Sequence, residues 1–284
     1  MKIAEMPVEV IQHSRALDAA GKAAGTAFAT AVKPGKLKDF LSGTWLGHPL
    51  HPVLTDVPIG TWTSALILDV LPGKASRRAA DNLIGAGLLA TVPTIITGLS
   101  ELADVTRKED RRLGAAHAIG NAAATTLYAM SWLARRRGRR SRGVILSLLG
   151  AAVVSGGAFL GGDLAYRRGV GVSQMAFDEP PHEWSDAYAL DGLDDRIPTK
   201  VQVGGTDVLL VRRGAQVSAI ADRCTHRGGP LHEGTLEDDC IRCPWHDSVF
   251  RLDDGQVDRG PATAPAPVYD VRVRNGRIQL RARS

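Results

Sequence analysis

Cys224-Thr225-His226-Arg227-Gly228-Gly229-Pro230-Leu231 and, after a short turn region, Cys240-Ile241-Arg242-Cys243-Pro244-Trp245-His246 are the stretches that decide how this chain reads. Each loop supplies one thiolate and one imidazole: Cys224 with His226, and Cys243 with His246. Two such loops facing one another give a pair of sulfurs on one side and a pair of imidazoles on the other. That donor set suits a 2Fe-2S cluster whose two irons differ in their ligands. Finger-type zinc sites pair Cys with Cys and His with His along the chain, so the alternating order here makes zinc the weaker reading. Three Cys make no disulfide framework, and Cys240 is left over as a plain thiol.

The segments Cys224-Thr225-His226-Arg227-Gly228 and Cys243-Pro244-Trp245-His246-Asp247-Ser248 resemble the two cluster-binding boxes of Rieske iron-sulfur proteins. Gly260-Pro261-Ala262 resembles the proline-bearing loop that covers the cluster, and the resemblance extends over residues 184–284. It implies that Cys224 and Cys243 hold the buried iron and that His226 and His246 hold the outer, solvent-facing one. Where quinol-oxidising members brace the loops with a disulfide, this chain has Gly229 and Trp245. Ser248 matches the position whose hydroxyl bonds a bridging sulfur, and Phe250 stands where those members carry a Tyr donor. The expectation is a one-electron centre in the lower or middle part of the range of about −150 to +300 mV.

Around the boxes, residues 201–203, 208–212, 216–221, 248–251, 268–274 and 277–281 are short runs, most of them rich in β-branched residues and divided by Gly-Gly, Asp-Gly and Asn-Gly turns. They predict an all-β Rieske domain at 184–284, an antiparallel sandwich or barrel. Residues 167–183 read as a linker, with polar, proline-bearing sequence from 177 to 198.

The first half belongs to a different solvent. Apolar runs at 52–71, 80–103, 113–134 and 143–165 each approach the ~20 residues that cross ~30 Å of hydrocarbon. Small residues such as Gly114, Gly120, Gly150, Gly156 and Gly157 allow close helix approach in lipid. The expectation is an all-α four-helix transmembrane bundle at 48–166, preceded by a leader at 1–47 with an amphipathic helix over 8–31. Trp45, Tyr128, Trp132 and Tyr166 fall near run ends, as interfacial aromatics do. Four crossings make a multi-pass membrane protein with both termini on one side. The six Arg of residues 135–142 favour the cytoplasm, although the opposite face is also basic. Arg139-Arg140 loosely resembles a twin-arginine export signal, but Arg142 and Gly143 stand where an apolar pair is expected. The formal charge of +5 does not argue for nucleic acid, because the Arg residues cluster beside apolar runs.

Gly47-His48-Pro49-Leu50-His51-Pro52, followed by Asp56-Val57-Pro58-Ile59-Gly60, resembles the opening of an uncharacterised bacterial four-helix membrane domain that occurs alone and fused to Rieske domains. Ionisable groups at membrane depth mark candidate sites. His48, His51 and His117, with Glu101 and Asp104, therefore admit either helix-end pairing or a second cofactor, a b-type haem or a quinone.

The functional expectation is a membrane-anchored electron carrier between a reductase or quinol and a partner protein. The alternatives are a quinol oxidoreductase subunit with its quinone in the bundle, and a redox sensor. A ring-hydroxylating oxygenase needs a mononuclear iron domain with two His and a carboxylate, and too little chain follows His246 to supply one.

Overall fold

The computed structural model of the protein describes residues 5–283, so Lys2 of the expected leader lies outside the described residues. It divides into two compact units, residues 1–31 with 50–170, and residues 32–49 with 171–284.

The first unit is helical. Four long helices, α4 (Leu50–Val70), α5 (Lys74–Ala103), α6 (Lys108–Arg136) and α7 (Arg140–Gly162), form a bundle in which α4 packs on α5 and α7, and α6 packs on α5 and α7. A π turn, Asp163–Arg167, extends α7. Bulk and absence of bulk set the packing: Trp62 stacks on Tyr128 with ring centroids 3.9 Å apart, and a Cβ at Gly87 would overlap the Trp62 indole nitrogen. The acidic residues that interrupt the apolar runs have partners. At one end Arg135 bonds Asp69 (2.5 Å) and Asp81 (3.1 Å), with Arg140 on the same two carboxylates. Arg168 bonds Asp110 (3.0 Å) and Asp163 (2.8 Å) where α6 begins and α7 ends.

Two sequence expectations change here. Among the described residues three helices, not four, are long and apolar enough to cross a membrane: α4, α5 and the stretch from Arg140 to Arg167. The third run lies in α6, where His117, Asn121, Thr125, Thr126 and Ser131 lower its apolar content. These groups bond within the bundle, Asn121 to His117 (3.0 Å) and Ser131 to the Gly143 carbonyl (2.7 Å). The single amphipathic helix over 8–31 is two helices, α1 (Glu5–His13) and α2 (Arg15–Ala31), broken at Ser14. They pack on α6 and on α5 with α6, respectively.

The second unit is a set of three antiparallel sheets. Strands β1 (Ser185–Ala189), β9 (Tyr269–Arg274) and β10 (Arg277–Ala282) pair in the order β1-β10-β9, and β2 (Thr199–Val203), β3 (Thr206–Arg213) and β4 (Gln216–Ala221) pair in sequence order. The third sheet is β5 (Thr235–Glu237), β6 (Cys240–Arg242), β7 (Val249–Arg251) and β8 (Val257–Arg259), again in sequence order. Three-residue strands carry too little alternation to be read from sequence, so β5, β6 and β8 had no signal. One apolar core runs from Leu209, Val211 and Ile220 through Cys224 and Cys243 to Phe250 and Ala262, so both boxes are rooted in it. Residues 32–49, a short helix α3 (Lys36–Ser42) and a 3-10 turn (Thr44–Leu46), belong to this unit. The stretch before β1 is held along its length rather than solvated. The Gln174 amide donates to the Thr225 carbonyl (3.0 Å), Thr206 to the Glu179 carbonyl (3.1 Å), and the Ala282 amide to the Pro181 carbonyl (2.7 Å).

Candidate metal centre

The first box follows β4. Asp222, 1% exposed, accepts the His232 backbone N–H (2.8 Å) and the His232 ring Nδ1–H (2.7 Å), while its carbonyl accepts the Leu231 amide (2.7 Å). His232 is therefore a half-buried brace of this loop. Between these anchors the loop closes on itself: the Cys224 amide donates to the Gly229 carbonyl and the Gly228 amide to the Cys224 carbonyl, both 2.8 Å. Gly228 turns at φ 77°, where any side chain would strain the backbone. The second box joins β6 to β7. Its Cys243 amide donates to the Ser248 carbonyl (2.8 Å), and its Asp247 amide to the Cys243 carbonyl (3.2 Å).

Each sulfur is cradled in the same way. The backbone N–H groups of His226 and Arg227 donate to Cys224, and those of Trp245 and His246 to Cys243. Such amides favour a charged sulfur, because they are fixed dipoles in a buried site. Both Cys are 1% exposed, and their sulfurs interact with one another. That interaction, helped by the two amides, lowers Cys243, while the same interaction and burial push Cys224 up. The His226 and His246 rings stand 5.1 Å apart at 85°, both half-buried. Burial first, then the charges of Arg227, His246 and Lys38, hold His226 well below its ordinary value and so neutral, the form that ligates metal. Gly229 is glycine for space: a Cβ there would lie 2.8 Å from the Cys243 sulfur and 3.1 Å from the Trp245 ring.

The four predicted side chains thus come together two by two. Among the described residues no group of three His, Cys, Asp or Glu side chains converges to hold a single ion. Pairs fit a cluster in which each iron takes two protein ligands; zinc would gather four donors in one shell. A third loop closes over the boxes. The Ala262 amide donates to the Ser248 hydroxyl (3.0 Å), the Thr225 hydroxyl to the Ala264 carbonyl (2.7 Å), and the Thr44 hydroxyl to the Ala262 carbonyl (3.1 Å). Sequence reading missed Thr44, Gln174 and Asp222. Thr44 and Gln174 are remote in the chain from what they touch, and only the placing of a carboxylate at the end of a strand hinted at Asp222.

The membrane-side histidines divide. His51 and His117 meet, rings 6.4 Å apart and perpendicular. Their Nδ1 atoms bond the Thr94 carbonyl (3.0 Å) and the Gly157 carbonyl (2.8 Å), tying α4 to α5 and α6 to α7. His48 is exposed and bonds the carbonyl of its neighbour Pro49.

Residues 183–270 match the family model described as a Rieske 2Fe-2S domain, and residues 47–174 the one described as a predicted membrane protein (DUF2231). The anthranilate 1,2-dioxygenase ferredoxin subunit of Burkholderia cepacia is 30% identical over 98 residues, which is 34% of this chain and 91% of that protein. Ferredoxin CarAc of Metapseudomonas resinovorans is 38% identical over 79 residues, 28% of this chain and 74% of that protein. Among solved structures, the ferredoxin of carbazole 1,9a-dioxygenase from Nocardioides aromaticivorans IC177 is similar at 30% identity over 35% of this chain and 98% of that one, with a TM-score of 0.34. Neither the family matches nor these relatives support a haem or a quinone beside His51 and His117.

Proposed function

Because the chain belongs to the Rieske family through its C-terminal domain, we propose that it is a membrane-anchored one-electron carrier that takes an electron from a redox protein and hands it to another. The domain carries a Rieske-type 2Fe-2S cluster. The observation that carries the ligand assignment is the two-by-two pairing of Cys224 with Cys243 and of His226 with His246, which would hold the inner and the outer iron respectively. When bound, the cluster supplies a one-electron couple whose neutral imidazoles raise its potential above that of all-thiolate clusters. The chain's own residues do the rest. Four backbone amides stabilise the two sulfurs, the core excludes water from them, and the half-buried imidazoles with exposed Trp245 form the side a partner can reach.

Membrane anchoring is supported by α4, α5 and α7 and by the segment before α4. There Leu37, Phe40, Trp45 and Leu46 are exposed, and Phe40 stacks on Trp45 at 5.8 Å, an aromatic pair of the kind that settles among lipid headgroups. A protein donor is favoured over quinol by two features. Gly229 and Trp245 leave no disulfide between the boxes, and Phe250, fully buried, offers no hydroxyl.

The test uses the full chain in lipid nanodiscs. NADH with a flavoprotein ferredoxin reductase is expected to reduce the cluster within seconds, while a quinol leaves it oxidised. Reduction by quinol alone would transfer the assignment to a quinol oxidoreductase subunit. The chain is also expected to stay with membranes after alkaline carbonate extraction, and its release would remove the anchor.

A further inference from the structure

The loop over the boxes is gripped at one residue from two directions. Ala262 gives its N–H to Ser248 (3.0 Å) and accepts at its carbonyl from Thr44 (3.1 Å), a residue 218 positions earlier in the chain. Thr44 arrives there because α3 ends at Gly43, whose φ of 86° is open to glycine at little cost and turns the chain into the 3-10 turn that begins with Thr44. The approach is close enough to fix the identity of the residue it meets. Gly260 does not have a positive φ, yet a Cβ on it would overlap the Thr44 hydroxyl and lie 3.0 Å from the Asp39 carboxylate. Glycine at 260 is thus a docking requirement. Ser248, fully buried, accepts the Ala262 amide on one of its two lone pairs, so its hydroxyl proton is not used in that bond and can be donated elsewhere.

We propose that residues 36–46 are a brace for the redox centre, with Thr44 as a positioning residue. By holding Ala262 they aim the Ser248 hydroxyl at the cluster and keep the covering loop shut. The proposal rests on the cluster reading above. It gives the stretch between the helical leader and α4 a role in setting the potential, and it makes the integrity of that stretch part of the redox chemistry.

The experiment compares Thr44→Val, Thr44→Ser and Gly260→Ala in the full chain by two independent readouts. Amide hydrogen exchange over residues 36–46 reports docking, whether or not a cluster is present. It is expected to speed up at least tenfold in Gly260→Ala and to stay near the parent rate in Thr44→Ser. At a fixed ambient potential the reduced-to-oxidised ratio is expected to fall at least threefold in Thr44→Val and Gly260→Ala, equivalent to about 28 mV for one electron, with Thr44→Ser restoring it. In a Ser248→Ala background Thr44→Val is expected to cause no further fall, because its effect passes through that hydroxyl. Unchanged exchange in Gly260→Ala would overturn the docking. Faster exchange with unchanged ratio and unchanged electron paramagnetic resonance signal would overturn the positioning role. A parent chain without iron and sulfide would instead defeat the proposed function, and the redox half of this inference with it, while the exchange readout would still decide the docking.

Discussion

Ser248 is where one atom has most leverage over the chemistry. Its hydroxyl is fully buried, anchored by the Ala262 amide, and placed at the end of the second box. A hydrogen bond to a charged partner is worth roughly 1.5–3 kcal/mol, and it strengthens as the cluster gains negative charge. The part of that energy gained on reduction sets the shift, so Ser248→Ala is expected to lower the potential by at most roughly 65–130 mV without loss of iron, measured by redox titration. The third cysteine behaves differently from the other two. Cys240, partly exposed on β6, has its thiol pushed up by burial and then by the charges of Asp258, Asp253 and Asp238. A raised value leaves the neutral thiol dominant below it and the reactive thiolate above it. Alkylation of Cys240 in the cluster-loaded protein is expected to be slow at neutral pH and still accelerating beyond pH of about 9. A rate that levels off near neutrality would refute this. The proposed ligand positions could be named from the sequence because each pair is local, Cys224 with His226 and Cys243 with His246. Thr44 was not, because nothing in a threonine near a predicted membrane run announces a carbonyl 218 residues away.

Elements tell a mixed story about legibility. Long periodic helices declared themselves, whereas strands of three residues such as β5 and β8 are fixed by their neighbours and not by their own sequence. The Arg-rich stretch at 135–142 read as a topological signal, and two of its members turn out to serve the bundle. The Arg135 side chain is fully buried between Asp69 and Asp81, with Ser131 and Ser147 completing its hydrogen bonds. Removing one partner of a buried pair strands the other's charge, at a cost of about 3–5 kcal/mol. Because Arg140 still bonds both Asp69 and Asp81, Arg135→Ala is expected to destabilise the detergent-solubilised bundle by less than that, seen as a lower thermal midpoint. In an Asp69→Asn background the same change is expected to cost less, since the carboxylate that Arg135 bonds most closely is then neutral. Equal losses in both backgrounds would mean that the pair is not coupled.

At the scale of the molecule, one chain joins two solvents. A helical unit with three helices apolar enough for lipid is joined to a β unit that buries sulfur and leaves imidazole half-open. The division between α and β was readable from composition alone, since apolar runs end before residue 166 and short strands follow. Composition did not place residues 32–49, which the chain order puts with the helices and the packing puts with the β unit. The account's central claim is that Cys224, His226, Cys243 and His246 together hold a Rieske-type cluster used for one-electron transfer. The most direct test is a redox titration of the full chain followed by electron paramagnetic resonance with nitrogen hyperfine detection. The account predicts a one-electron couple in the lower or middle part of the range of about −150 to +300 mV. It also predicts coupling from two imidazole nitrogens, one of which disappears in His246→Cys. A reduced signal with no nitrogen coupling, or one that keeps both nitrogens in His246→Cys, would contradict it.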